Sequence, residues 1–190
     1  ARNALLRQPL DSRSVLAAAL VAEERLAGRH IDNLAPAMFG GILLIRSIEP
    51  LDFIRLPAPP ALRIVLVEPS MRLRTAEARA VLPAAISLST ALAQAVAIST
   101  MVAAFLTGNL QLLRGAIDDR IAEPARARLL PGFIDAKRAA LEKGALGCSI
   151  SGGGPSSFAL TDSDDTAGSV MHAMIEAYRQ CGVGAVGRVA

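Results

Sequence analysis

The stretch LGCSISGGGPSSFALT, residues 146–161, decides the fold. Two short apolar runs, LGCSIS (146–151) and SSFALT (156–161), flank three glycines and a proline. Runs of this length bounded by Gly and Pro read as strands. The segment is therefore a strand pair joined across Gly152, Gly153, Gly154 and Pro155. Downstream, DDTAGSVMHAMIEAYRQCG (164–182) sets Val170, Met171, Met174, Ile175, Tyr178 and Cys181 on one helical face, and Gly182 stops it. VGAVGRVA (183–190) closes as a strand. Upstream lie RIVLVEP (63–69), a strand by its Ile, Val and Leu content, and then helical patterns. TAEARAVL, opened by Thr75, reads as a short helix. The uncharged stretch Ala80–Leu113 supplies a long one ending at Gly108. NLQLLRGAI, AEPARARLL and FIDAKRAALEKG read as further helices, the last two separated by Pro131-Gly132.

From residue 63 the order is strand, helices, strand, strand, helix, strand. That is the ferredoxin-like split βαβ with extra helices in its first crossover, an α+β class. Residues before it read differently. SRSVLAAALVAEERLAG (12–28) is a helix capped by Asp11, with Leu16, Leu20 and Leu26 recurring and Gly28 as its end. GILLIRS (41–47) and DFIRLPA (52–58) read as strands without obvious sheet partners, part of a second layer. The stiff tract PAPPA (57–61) is the best candidate boundary, giving domains 1–58 and 59–190.

The chain has 190 residues, enough for one large domain or two small ones. With 52% hydrophobic and 19% charged residues it is not a disordered chain. The pI is about 9.4, yet the net charge is only +3 and aromatic residues are 3%. Little is available to stack on bases, and no nucleic-acid partner is expected. Cys148 and Cys181 allow no disulfide framework and fit a reducing, cytoplasmic setting. ARNALLRQPL is not read as a signal peptide. Ala80–Leu113 is long enough to span a bilayer, but Pro83 and recurring Ser and Thr interrupt it. It is read as a buried helix of a soluble protein, with no membrane partner.

Neither G-x-x-x-x-G-K-[ST] nor G-x-G-x-x-G occurs, and Ser151 breaks a G-x-S-x-G match. Three features could carry chemistry. The glycines of 152–154 can turn successive N–H groups into an anion nest, or form an ordinary tight loop. Arg72, Arg74, Arg79, Arg126 and Arg128 could fork onto a carboxylate or phosphate, or line a solvated helix face. His30, Asp32 and Asn33 could position a hydroxyl beside a metal-bound phosphate, or cap a short helix. Glu23 and Glu24 could hold Mg²⁺ or simply face solvent.

Four blocks, HIDNLAPAMFGG (30–41), TAEARAVLP (75–83), IAEPARARLLPGF (121–133) and GCSISGGGPSSFAL (147–160), resemble in order and spacing the homoserine kinases of the GHMP small-molecule kinase superfamily. The resemblance covers nearly the whole chain. It implies an N-terminal domain like ribosomal protein S5, of which 1–58 would be the C-terminal part, and a C-terminal ferredoxin-like domain over 59–190. It implies ATP and Mg²⁺ as cofactors, L-homoserine as substrate and O-phospho-L-homoserine as product, on the route to threonine. A homodimer is also in keeping with it. Arg79 and Arg126 match the arginines on the amino acid's carboxylate, with Thr75 beside them. His30 and Asn33 match substrate contacts, and Asp32 is a candidate catalytic residue. Glu23 matches the metal ligand, with Glu24 the alternative. Gly152, Gly153, Gly154 and Ser156 match the loop behind the phosphate. The family's glycine- and serine-rich ATP loop would precede Ala1, and the helix after it would run into Ala1–Leu6. The expectation is a fragment that is inactive alone. Another GHMP kinase, for mevalonate or a sugar, and a non-catalytic binding domain are the alternatives.

Overall fold

A computed structural model describes residues 9–26 and 28–190, without the side chain of Leu26. The expected helix at Ala1–Leu6 and the packing of Leu26 lie outside that range. The chain divides into two compact units between Ala58 and Pro59.

The first unit holds helices α1 (Ser12–Leu26) and α2 (Leu34–Phe39) and strands β1 (Ile42–Ser47) and β2 (Asp52–Leu56). α1 starts where Asp11 Oδ1 accepts the amides of Arg13 and Ser14, at 2.9 and 3.1 Å. This satisfies two of the donors a helix start leaves open. The Ser14 hydroxyl, and then its amide, hold the Asp11 carboxyl below its usual range. Leu16 and Leu20 bury one face of α1 against Ile31 and Ala35, with Leu43 and Ile45 packed alongside. The two strands do have partners, contrary to the sequence reading: each other. They pair antiparallel, with Leu44 opposite Ile54. Only four residues separate them, which makes a hairpin the shortest solution.

The second unit runs β3 (Arg63–Pro69), α3 (Thr75–Ala80), α4 (Leu88–Thr107), a 3-10 turn (Leu110–Leu113), α5 (Ala122–Ala127), α6 (Phe133–Glu142), β4 (Gly147–Ile150), β5 (Ser157–Thr161), α7 (Asp164–Gln180) and β6 (Ala185–Val189). The sheet order is β4-β5-β3-β6, with every neighbouring pair antiparallel. That is the ferredoxin-like order, and the class is α+β. Val65 and Cys148 both pair with Ala159, so the three share one face. α6 and α7 cover that face with Ala136, Ala140, Val170, Met174 and Tyr178. Each fully buried Val or Met side chain there contributes about 1.5–3 kcal/mol. α7 begins where Ser163 Oγ accepts the Thr166 amide at 3.2 Å, and Arg63 of β3 grips Asp164 in its first turn.

Three expectations are corrected. Within residues 109–117 only Leu110–Leu113 form a 3-10 turn, and no α-helix follows: Asn109 Oδ1 caps Gln111, and Gly115 stands at φ +78° just beyond the turn. Cys181, the C-cap of α7, is exposed, whereas Tyr178 on the same face is buried. α4 is not a buried helix. It buries Ala97, Ala104 and Phe105, while Leu88 (76% exposed), Leu92 (60%) and Val96 (65%) face outward. It is long and apolar enough to cross a membrane by length and composition, with 17% of its most apolar window buried.

Candidate functional site

The glycine loop is closed at its base, where the Ser151 amide donates to the Ser156 carbonyl at 2.8 Å. Inside it, the Gly154 amide donates to the Ser151 carbonyl at 3.0 Å. Gly152 and Gly154 stand at φ +58° and +82°, in the left-handed region. A Cβ on Gly154 would also press on Ile150 and Leu130 at 3.3 and 3.4 Å. The amides of Gly152 and Gly153 make no hydrogen bond within the described residues. Two adjacent open N–H groups on a tight loop can receive an anion.

α5 is aimed from behind. The Asp119 carboxylate accepts the amides of Ile121, Ala122 and Glu123 at 2.9, 2.8 and 3.1 Å. Glu123 is buried, 8% exposed, and accepts from Ser149 Oγ on β4 at 2.6 Å and from Lys137 Nζ on α6. Cys148, next to Ser149, has its thiol pushed up to about 12, chiefly by burial; Lys137 works against the shift and Glu123 with it.

Three residues beyond Glu123, the Arg126 side chain leaves α5 and bridges two other segments. Its Nε donates to the Ala78 carbonyl of α3 at 3.0 Å and its Nη1 to the Gly152 carbonyl at 2.9 Å. Gly153 lies against Ala78 as well, since a Cβ built there would meet Ala78 Cβ at 3.8 Å. α3, α5 and the glycine loop thus meet at one point. Arg79 follows Ala78, and its carbonyl accepts the Leu82 amide. Thr75 is the exposed first residue of α3. Arg126 is not a free fork: two main-chain carbonyls use Nε and Nη1, which leaves Nη2 with no partner among the described residues. Arg72, Arg74 and Arg128 are exposed.

In the first unit, Asn33 occupies the N-cap of α2 but makes no side-chain cap bond. Asp32 and Asn33 are exposed and His30 half-buried. None of the three side chains has a partner among the described residues, so helix capping does not use them. Glu24 pairs with Arg29 at 3.7 Å, whereas half-buried Glu23 has no such pair. Among the described residues no group of three His, Cys, Asp or Glu could hold a metal ion. A lone Glu23 still suits Mg²⁺, which commonly takes one or two carboxylates and completes its shell with phosphate oxygens and water.

The sequence reading passed over Glu123, Ser149 and Lys137. Two signals were present. Lys137 falls on the apolar face of α6 formed by Phe133, Ala136 and Ala140, and Ser149 lies in a strand buried at every position.

Residues 101–180 match the family model described as GHMP kinases C terminal. A homoserine kinase of Chlorobium phaeobacteroides (strain BS1) is 45% identical over 179 residues, which are 94% of this chain and 56% of that protein. A homoserine kinase of Arabidopsis thaliana is 40% identical over 183 residues, 95% of this chain and 50% of that protein. The crystal structure of homoserine kinase from Cytophaga hutchinsonii ATCC 33406 superposes with a TM-score of 0.96 at 40% identity, over 100% of this chain and 61% of that one. The chain therefore spans about half to three fifths of the length of these relatives.

Proposed function

We propose that this protein acts as a homoserine kinase, a reading supported by the match of residues 101–180 to the GHMP kinases C terminal model. It transfers the γ-phosphoryl of ATP to the side-chain hydroxyl of L-homoserine, giving O-phospho-L-homoserine for threonine synthesis in the cytoplasm. The observation that carries this reading is the clasp of Arg126 on Ala78 and Gly152. It brings a guanidinium, open amides and the helix bearing Arg79 together, which suits a small substrate with a carboxylate at one end and phosphate oxygens at the other.

In this reading Arg126 Nη2 and Arg79 take the carboxylate, with Thr75 beside them. Gly152, Gly153 and Gly154, with Ser156, back the transferred phosphate. His30 and Asn33 contact the amino acid, and Asp32 receives or orients the hydroxyl proton. Glu23 is the protein ligand for Mg²⁺, which when bound neutralises charge on the nucleotide phosphates. Phosphoryl transfer has a loose transition state, so positioning and electrostatics supply most of the rate and a strong base is not required. Residues 59–190 would belong to the GHMP C-terminal ferredoxin-like domain, and 1–58 to the C-terminal part of an S5-like domain.

Calorimetric titration of the chain tests the reading. L-homoserine should bind, and Arg79→Ala and Arg126→Ala should each weaken it at least about ten-fold, the scale of a lost charge-assisted contact. Binding of mevalonate or galactose in place of homoserine would move the protein to another GHMP kinase. A folded chain with no affinity for any of them would leave a binding module.

A further inference from the structure

Glu123 is the one buried charged residue among the described residues. A buried carboxylate is costly unless it is paired and hydrogen-bonded. Glu123 meets both conditions: the Ser149 hydroxyl donates to one oxygen and the Lys137 ammonium to the other. Stability alone is a poor reason for such a cluster, because an apolar replacement of the same volume is often as stable or more so. Directional bonds add something an apolar contact lacks, a defined rotation and depth. α5 needs this, since six residues are too few to form a stable helix unaided. Its one long side chain into the site, Arg126, is three residues from Glu123 and must reach two carbonyls on two other segments.

We propose that Glu123, held by Ser149 and Lys137, is a positioning residue: it pins α5 to β4 and α6 so that Arg126 clasps Ala78 and Gly152 and keeps Nη2 for an anionic substrate. The glycine loop is set through the same arginine, because Gly152 is held by its carbonyl. Only the identity of that anion rests on the homoserine kinase reading; the placement of Arg126 does not.

The experiment uses ¹⁵N-labelled chain and follows the Arg126 Nε–H resonance, assigned by its disappearance in Arg126→Lys. In the native protein this hydrogen, bonded to Ala78, should exchange slowly with water. Ser149→Ala and Glu123→Gln are compared with it. Glu123→Gln with Lys137→Met removes both charges together, in case the single change leaves Lys137 unpaired and the chain unfolded. In each folded variant the slow Nε–H signal should be lost, and the Kd for L-homoserine should rise about ten-fold, on the scale at which displaced positioning groups act. Folded variants that keep the slow signal overturn the proposal. Loss of the signal with an unchanged Kd overturns its substrate half. If the native chain does not bind homoserine, the functional reading fails, and the Nε–H signal alone decides the placement of Arg126.

Discussion

Cys148 and Cys181 show how much a side chain's chemistry depends on its neighbours. Cys148 is buried on β4, and burial lifts its thiol to about 12. Cys181 is exposed, yet its thiol is also raised, first by the hydrogen bond to Asp135 and then by desolvation. The thiolate is the reactive form. A native-state thiol titration at pH 8 should therefore modify Cys181 alone, and more slowly than a free cysteine; Cys148 should react only on unfolding. Two thiols reacting in the native state would contradict the buried placement. The sign of the pH effect follows. Below pH 9.0, the ordinary thiol value, Cys148 is protonated in both states and contributes no pH dependence. Above it the unfolded chain loses this proton first, so stability should fall between pH 9 and about 12. At this scale the motifs singled out Arg126 and Gly152, which one hydrogen bond joins. The sequence was a poor guide to Glu123, because its partners Lys137 and Ser149 come from other elements. The ion pair closes over fourteen residues, so the marks it leaves, a lysine on an apolar helix face and a serine in a buried strand, sit in separate elements.

Elements were legible where their signals are local. The β-branched run of Arg63–Pro69, the apolar stripe of α7 and the glycine-bounded strands β4 and β5 announce themselves through period and punctuation. α4 was misread for a physical reason. Hydropathy measures what a helix can bury, not whether another element lies over it, and nothing among the described residues covers Leu88 and Leu92. The Pro131-Gly132 break was legible as punctuation, but its second constraint was not. Gly132 opens α6 at φ +83°, and a Cβ there would stand 2.8 Å from Tyr178 Cδ1 and 3.3 Å from Tyr178 Cα on α7. Gly132→Ala should destabilise the fold by about 2 kcal/mol or more, combining left-handed strain with overpacking. Urea unfolding monitored by circular dichroism measures this. A neutral result would mean that α6 and α7 are less tightly apposed at that point.

For the whole molecule, the division between Ala58 and Pro59 separates two self-contained sets of buried residues. The second unit has a four-stranded sheet with two helices over one face. A chain of residues 59–190 should thus fold alone and unfold in one cooperative transition, as domains with their own core do. A broad, non-cooperative melt of that chain, or its insolubility, would show that residues 1–58 are needed to complete it.

The outward side of α4 carries a colloidal consequence. At pH 7 the formal charge is only +3, so mutual repulsion between molecules is weak, and it vanishes as the pH climbs toward 9.4. A greasy ridge some 30 Å long, the length of twenty helical residues, then has nothing to keep neighbouring molecules apart. Mildly alkaline, high-sulfate solutions are where this protein will salt out first.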